Sequence, residues 1–162
     1  MTRAGGSHAT GATDRGTVAV LGNDVLDLGV PVRPDAVAAV RHAVVVHLTQ
    51  RAVPTSIIDD LELVVSELVT NAIIHPRLPA RTDAAVQVRV TVTDAVDVVV
   101  ANHGDASTIP AVDAWAPAPA FAPSGRGLGI VRRLCDEVSV DQSGEWAVIT
   151  CRRRLPDGGT KP

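Results

Sequence analysis

Aromatic residues are nearly absent: one Phe, two Trp and no Tyr in 162 residues. The core must therefore be built from Val, Leu, Ile and Ala, and no aromatic platform exists for stacking the bases of a single-stranded nucleic acid. An excess of positive charge is missing too. The net charge of −3 argues against a nucleic-acid partner held through its phosphates. Cysteine is scarce. Cys135 and Cys151 make no CxxC pair and have no zinc-spaced His/Cys cluster around them, so they read as buried free thiols in a reducing cytosol. There is no apolar run of about 18 residues to cross a membrane, and Met1 to Gly16 lacks the apolar centre of a signal peptide. A cytoplasmic protein without membrane or direct nucleic-acid contacts is expected.

What is present is 46% hydrophobic and 20% charged residues, enough to fill one globular core. Residues 1–17 read as a disordered tail, 18–155 as a single domain and 156–162 as a frayed end. A short strand is expected near Asp27 to Val32. Pro34 and Asp35 open a helix to about Gln50, with Val37, Val40, Val44, Val45 and Leu48 as its apolar stripe. Ser56 is a candidate N-cap for a second helix that runs to about His75 and ends before Pro76. From Ala84 to Thr93 valines alternate with polar residues, the period of a half-buried strand. A further strand covers Val98 to Ala101. About twenty irregular, proline-bearing residues follow, from Asp105 to Ser124, a length that usually marks a functional loop. A glycine-rich helix start and two closing strands, near Glu137 to Gln142 and Trp146 to Arg153, complete the chain. Arg152-Arg153-Arg154 reads as a solvated strand end. The expected architecture is α+β: a two-layer sandwich with helices on one face of a mixed, mostly antiparallel sheet.

Three groups of residues could carry chemistry. On the second helix, Glu67, Asn71 and His75 are spaced four apart. With Asp60 they span a sector of roughly 80° at 100° per residue, which Leu63 and Ile74 share. A carboxylate beside a carboxamide can hold a cation and a hydroxyl together: the Asn71 oxygen suits magnesium, and Glu67 could orient a nucleophile for attack on phosphorus. Taken alone, a polar helix face meeting solvent would explain the pattern equally well. Gly125, Gly127 and Gly129 stand at a helix start, where close backbone approach and the first amides favour a phosphate. A flexible helix entry would also place glycines there. Asn102 and Gly104 close a strand, where a carboxamide could meet a base edge; a polar turn would look the same.

The order of these signals resembles the ATP-binding domain of the GHKL superfamily over residues 34 to 153. It is most similar to the small stand-alone anti-sigma-factor serine/threonine kinases of bacteria. Glu-Leu-Val-Thr-Asn-Ala at 67–72, followed by His75, is similar to their N-box. Gly125-Arg126-Gly127-Leu128-Gly129-Ile130-Val131 is similar to their second glycine box. The resemblance implies ATP and Mg2+ as cofactors, Glu67 as catalytic base and Asn71 as magnesium ligand. It also implies nucleotide contacts from Asn102, Gly104, Gly125, Arg126, Gly127, Leu128 and Gly129, under a lid at 105–124. One departure stands at the first glycine box, which is Asp-x-Gly-x-Gly in the family. Here it is Asn102-His103-Gly104-Asp105-Ala106, with a neutral acceptor and no second glycine. The implied function is a regulatory ATP-binding protein, a kinase of an anti-sigma antagonist and/or a holder of a sigma factor. A non-catalytic switch module acting through protein contacts is the alternative. The N-terminal strand and first helix could also supply a homodimer interface.

Overall fold

The computed structural model describes residues 10–13, 17–21, 24–74, 85–116 and 126–156. Among these residues seven strands form one sheet: β1 (Thr10–Thr13), β2 (Thr17–Leu21), β3 (Val25–Pro31), β4 (Ala85–Val92), β5 (Ala95–His103), β6 (Glu137–Ser143) and β7 (Trp146–Arg154). Their spatial order is β1-β2-β3-β4-β5-β7-β6. Every described pairing is antiparallel, a purer arrangement than the mixed sheet expected. The α-helices among the described residues are α1 (Ala36–Gln50), α2 (Thr55–Ile74) and α3 (Arg126–Leu134).

The alternation of the strands decides which face the helices cover. Leu26, Leu28 and Val30 of β3, Val86, Val88 and Val90 of β4, and Val96, Val98 and Val100 of β5 are buried in one core. Val40, Val44 and Leu48 of α1 and Leu61, Val65, Leu68 and Val69 of α2 join it. A side-chain period of two puts Asp27, Gln87, Arg89, Thr91 and Asp97 on the opposite face. There Arg89 forks onto Asp27, at 2.6 and 3.2 Å. The sheet is thus buried on one side only, as antiparallel sheets permit.

Several local expectations are corrected. Residues 10–13, expected in a disordered tail, form β1 against β2, which in turn pairs Val18 with Gly29 of β3. Helix α2 begins at Thr55, one residue before the expected cap at Ser56. The Pro54 carbonyl accepts the amides of Ile57 and Ile58 at 2.9 and 3.0 Å. The arginine run closes β7 with Arg154 exposed, as expected of a strand end, but each guanidinium is also paired. Arg152 meets Asp97 at 3.1 Å, Arg153 meets Asp60 at 3.2 Å, and Arg154 meets Glu137 at 2.8 Å. The first half of the long loop is also structured. It makes 3-10 turns at Ala106–Thr108 and Val112–Ala114. Ile109 and Trp115 are buried, and Trp115 Nε1 donates to the Pro110 carbonyl at 2.8 Å. Residues 117–124, the rest of the expected lid, lie outside the described residues.

Candidate nucleotide site

Helix α2 buries Ile57, Ile58, Leu61, Val64, Val65, Leu68, Val69, Ala72 and Ile73. That stripe fixes the rotation of the helix and leaves Glu67 and Asn71 half-buried on its flank. The expected polar sector is divided. Asp60 turns to Arg153 of β7, Leu63 and Ile74 are 41% and 61% exposed, and His75 lies outside the described residues. Glu67 and Asn71 remain together. Among the described residues, neither side chain has a hydrogen-bond or ion-pair partner.

Helix α3 crosses α2 at Gly127. A Cβ placed on Gly127 would collide with Glu67 Oε2, lying 3.2 Å from its Cδ, and would stand 3.5 Å from Asn71 Nδ2. The glycine therefore lets the α3 backbone close on the carboxylate and carboxamide. The Glu67–Asn71 pair and the glycine box, about sixty residues apart in the chain, meet at this crossing. Gly129 is buried within α3, Leu128 is half-buried, and Arg126 is the first helical residue. Gly125 lies outside the described residues.

The second corner stands at the end of β5. Asn102 pairs in register with Ala147 of β7, which is wholly buried. It has the parity of Val98 and Val100, so it faces the helix layer rather than the open side of the sheet. Its Nδ2 is buried without a hydrogen-bond partner. Its neighbour His103 points the other way and stacks on Trp146, ring centroids 3.8 Å apart. Gly104 is buried with φ 147°, a backbone state that side chains rarely tolerate. Its amide donates to the Glu145 carbonyl at 2.9 Å.

Sequence reasoning missed the residue that clamps this corner. Gln142 Nε2 donates to the carbonyls of Gly104 and Gly144, at 3.1 and 2.8 Å. Its Oε1 accepts the Ala106 amide at 2.7 Å. One polar residue at a strand end has no pattern to announce it. The Asp105 carboxylate then accepts the Ser107 amide at 2.8 Å and starts the first 3-10 turn.

This arrangement coincides with a known domain. The family model described as a histidine kinase-like ATPase domain matches residues 30–153. The chain belongs to this histidine kinase-like ATPase family. The GHKL reading of the motifs is thus met at the level of the family, and ATP is the ligand that membership implies. Two solved structures share the fold of this ATPase domain. One holds the RsbU and RsbW domains of a Mycobacterium tuberculosis protein, with a TM-score of 0.59 and 19% identity, covering 81% of this chain and 32% of that one. This chain thus spans about a third of that relative. The other is a SiaB–SiaC complex from Pseudomonas aeruginosa, with a TM-score of 0.58 and 17% identity, covering 80% of this chain and 89% of that one. No curated protein matches the sequence. Among the described residues, no helix of the domain is long and apolar enough to cross a membrane.

Two local features fit a nucleotide. The α3 backbone closes on Glu67 and Asn71 where a Cβ would be excluded, and the buried Asn102 amide lacks an acceptor. Among the described residues, no group of three or more His, Cys, Asp or Glu could hold a metal ion. Beside the glycine helix stand one carboxylate, of Glu67, and one carboxamide, of Asn71.

Proposed function

We propose that the protein is a regulatory serine/threonine kinase that transfers a phosphoryl group from Mg-ATP to a hydroxyl of a small antagonist protein of the anti-sigma type. Sequestration of a sigma factor accompanies that role. The observation that carries the reading is the juxtaposition of Glu67, Asn71 and Gly127 at the α2–α3 crossing. Of the two solved structures that share the fold, one holds an RsbW domain beside an RsbU domain and the other is a complex of SiaB with a second protein, SiaC, which supports a protein partner.

Each residue has a task that its chemistry suits. The Asn71 carboxamide oxygen would hold magnesium, a hard cation that completes its shell with water and phosphate oxygens. Magnesium, when bound, offsets negative charge on the phosphates. Gly127, with Gly125 and Gly129, lets the backbone approach those phosphates, and the first amides of α3 face them with the helix dipole behind. Glu67 accepts the proton of the attacking serine or threonine hydroxyl as its oxygen bonds to the γ-phosphorus and the bond to the β-phosphate oxygen breaks. Asn102 reads the base, beside Gly104.

A second reading is a switch module that binds nucleotide and partner without turnover. It is favoured by the first glycine box, where Asn102 is uncharged and Ala106 replaces the second glycine. Radiolabel transfer from ATP to candidate antagonists decides between them. The parent is expected to label a partner, and Glu67→Gln to lose labelling while keeping nucleotide affinity, because a general base acts on the chemical step. Equal labelling by both removes Glu67 from the mechanism. A parent that binds ATP and partner yet labels nothing leaves the switch module.

A further inference from the structure

Asn102 has a property beyond its position. Its Nδ2 is buried and has no acceptor, and among the described residues no hydrogen bond holds either end of the side chain. A buried donor without a partner is costly, so an acceptor from a ligand is favoured there. An untethered carboxamide can also turn about its last torsion and exchange its nitrogen and oxygen. Gly104, two residues on, leaves no side chain that would lock it.

We propose that Asn102 makes the base pocket tolerant of both 6-aminopurine and 6-oxopurine nucleotides. The inference rests on the reading of this corner as the base site. A carboxamide presents one donor beside one acceptor. Adenine offers N6–H and N1, so the oxygen of Asn102 accepts from N6 and its nitrogen donates to N1. A 6-oxopurine offers O6 and N1–H, and the same side chain, turned over, donates to O6 and accepts from N1–H. Both pairings are bidentate, as in amide–adenine contacts elsewhere. A carboxylate is acceptor-only. It suits the adenine amino group and meets O6 with a lone pair against a lone pair. The identity of residue 102 thus sets base selectivity, and asparagine relaxes it.

Calorimetric titration of the full chain with Mg-ATP and Mg-ITP tests this. Inosine carries O6 and N1–H without the extra amino group of guanine. The parent is expected to bind the two within about tenfold of each other, since each makes one bidentate pair. Asn102→Asp is expected to shift the ratio toward ATP by about tenfold or more. Asn102→Leu, which keeps the branched heavy-atom outline and loses both polar ends, is expected to weaken both nucleotides by similar factors. A parent that prefers ATP by much more than about tenfold, or an unchanged ratio in Asn102→Asp, overturns the proposal while leaving the ATP site in place. Loss of ATP binding alone in Asn102→Leu overturns it too. A parent that binds neither nucleotide overturns the ATP-site reading and this proposal with it.

Discussion

An alanine at position 127 would drive its methyl group into the Glu67 carboxylate, and the two ways out have different consequences. If α3 moves away from α2, packing is lost and stability falls by about 1–3 kcal/mol, the usual cost of overpacking. If Glu67 swings aside instead, stability holds but Glu67 and Asn71 are drawn apart. In both cases Mg-ATP binding is expected to weaken. The double variant Gly127→Ala/Glu67→Ala separates local crowding from any intrinsic effect of the alanine, because it removes the obstructing carboxylate. Where Gly127→Ala lowers stability, chemical denaturation should show recovery of most of the loss in the double variant; a loss without recovery would mean that the carboxylate is not what the methyl meets. His47 is a residue of the opposite kind, with no role in the site. It is 1% exposed in α1, and both ring nitrogens lack partners. Burial lowers its pKa to about 4 from an ordinary 6.5, with nearby Arg51 adding to the drop and Asp24 opposing it. Between those values the unfolded chain binds more protons than the folded one. Stability is therefore full above pH 6.5 and falls as the pH drops toward 4, by up to about 3 kcal/mol. His47→Leu should flatten that slope, because an apolar side chain has no proton to gain. Urea titrations at pH 5 and pH 8 check this: the variant should gain on the parent at pH 5 relative to pH 8, and a constant difference would remove His47 as the cause.

The elements with a strong period were legible in the sequence, and those held only by a neighbour were not. Alternating valines marked β4, and the stripe Val40, Val44 and Leu48 marked α1, because each pattern reports one buried face. Strand β5 runs from Ala95 to His103, longer than its apolar centre, since pairing with β7 extends to Asn102 and His103. Strand β1 has the sequence Thr-Gly-Ala-Thr, too small and polar to signal a strand, and only register with β2 defines it. The Glu67–Asn71 spacing showed that the two share a flank of α2. That Gly127 would lie against them follows from the angle at which α3 crosses, which no local pattern encodes. The pairing of the arginine run was not legible because its partners Asp60, Asp97 and Glu137 come from three other elements. The loop after β5 was legible in length but not in order, since its anchor is one buried indole. Trp115 is 5% exposed and donates to Pro110, while Gln142 fixes Gly104 and Ala106 at the loop's start. Amides of the two 3-10 turns should then be protected from hydrogen exchange before any nucleotide is added. Trp115→Ala should abolish that protection in the second turn while β5 and β7 keep theirs. Fast exchange over 105–116 in the parent would show that the indole does not hold the loop.

At the scale of the molecule, helix α2 joins two environments. One end offers Glu67 and Asn71 to α3, and nearer the other Asp60 is tied to Arg153 of β7. Arg153 also stands 3.9 Å from Asp136, just before β6. One guanidinium thus ties α2 to the last two strands of the sheet. Both Arg153 and Asp60 have side chains 31% exposed, so solvent weakens their attraction without abolishing it. A fully exposed pair contributes about 0–1 kcal/mol, and breaking a buried one costs about 3–5 kcal/mol. This pair belongs between, and Arg153→Met should lower stability by about 1–2 kcal/mol. Methionine keeps most of the aliphatic stem's packing, so the loss reports the charge. Two carboxylates, Asp60 and Asp136, then face each other without their shared cation. Added salt should narrow the gap between parent and variant, because it screens that repulsion and the parent's attraction alike. The site should respond less: Glu67 and Asn71 lie about two to three turns along α2 from Asp60, and the Leu61, Val65, Leu68 and Val69 stripe still seats the helix on the sheet. Denaturation midpoints with and without added salt, alongside Mg-ATP titration, measure both ends of the helix. A variant as stable as the parent would reduce the Asp60–Arg153 contact to a surface pair. A large loss of ATP affinity with little loss of stability would mean instead that the contact sets the position of α2 at the site.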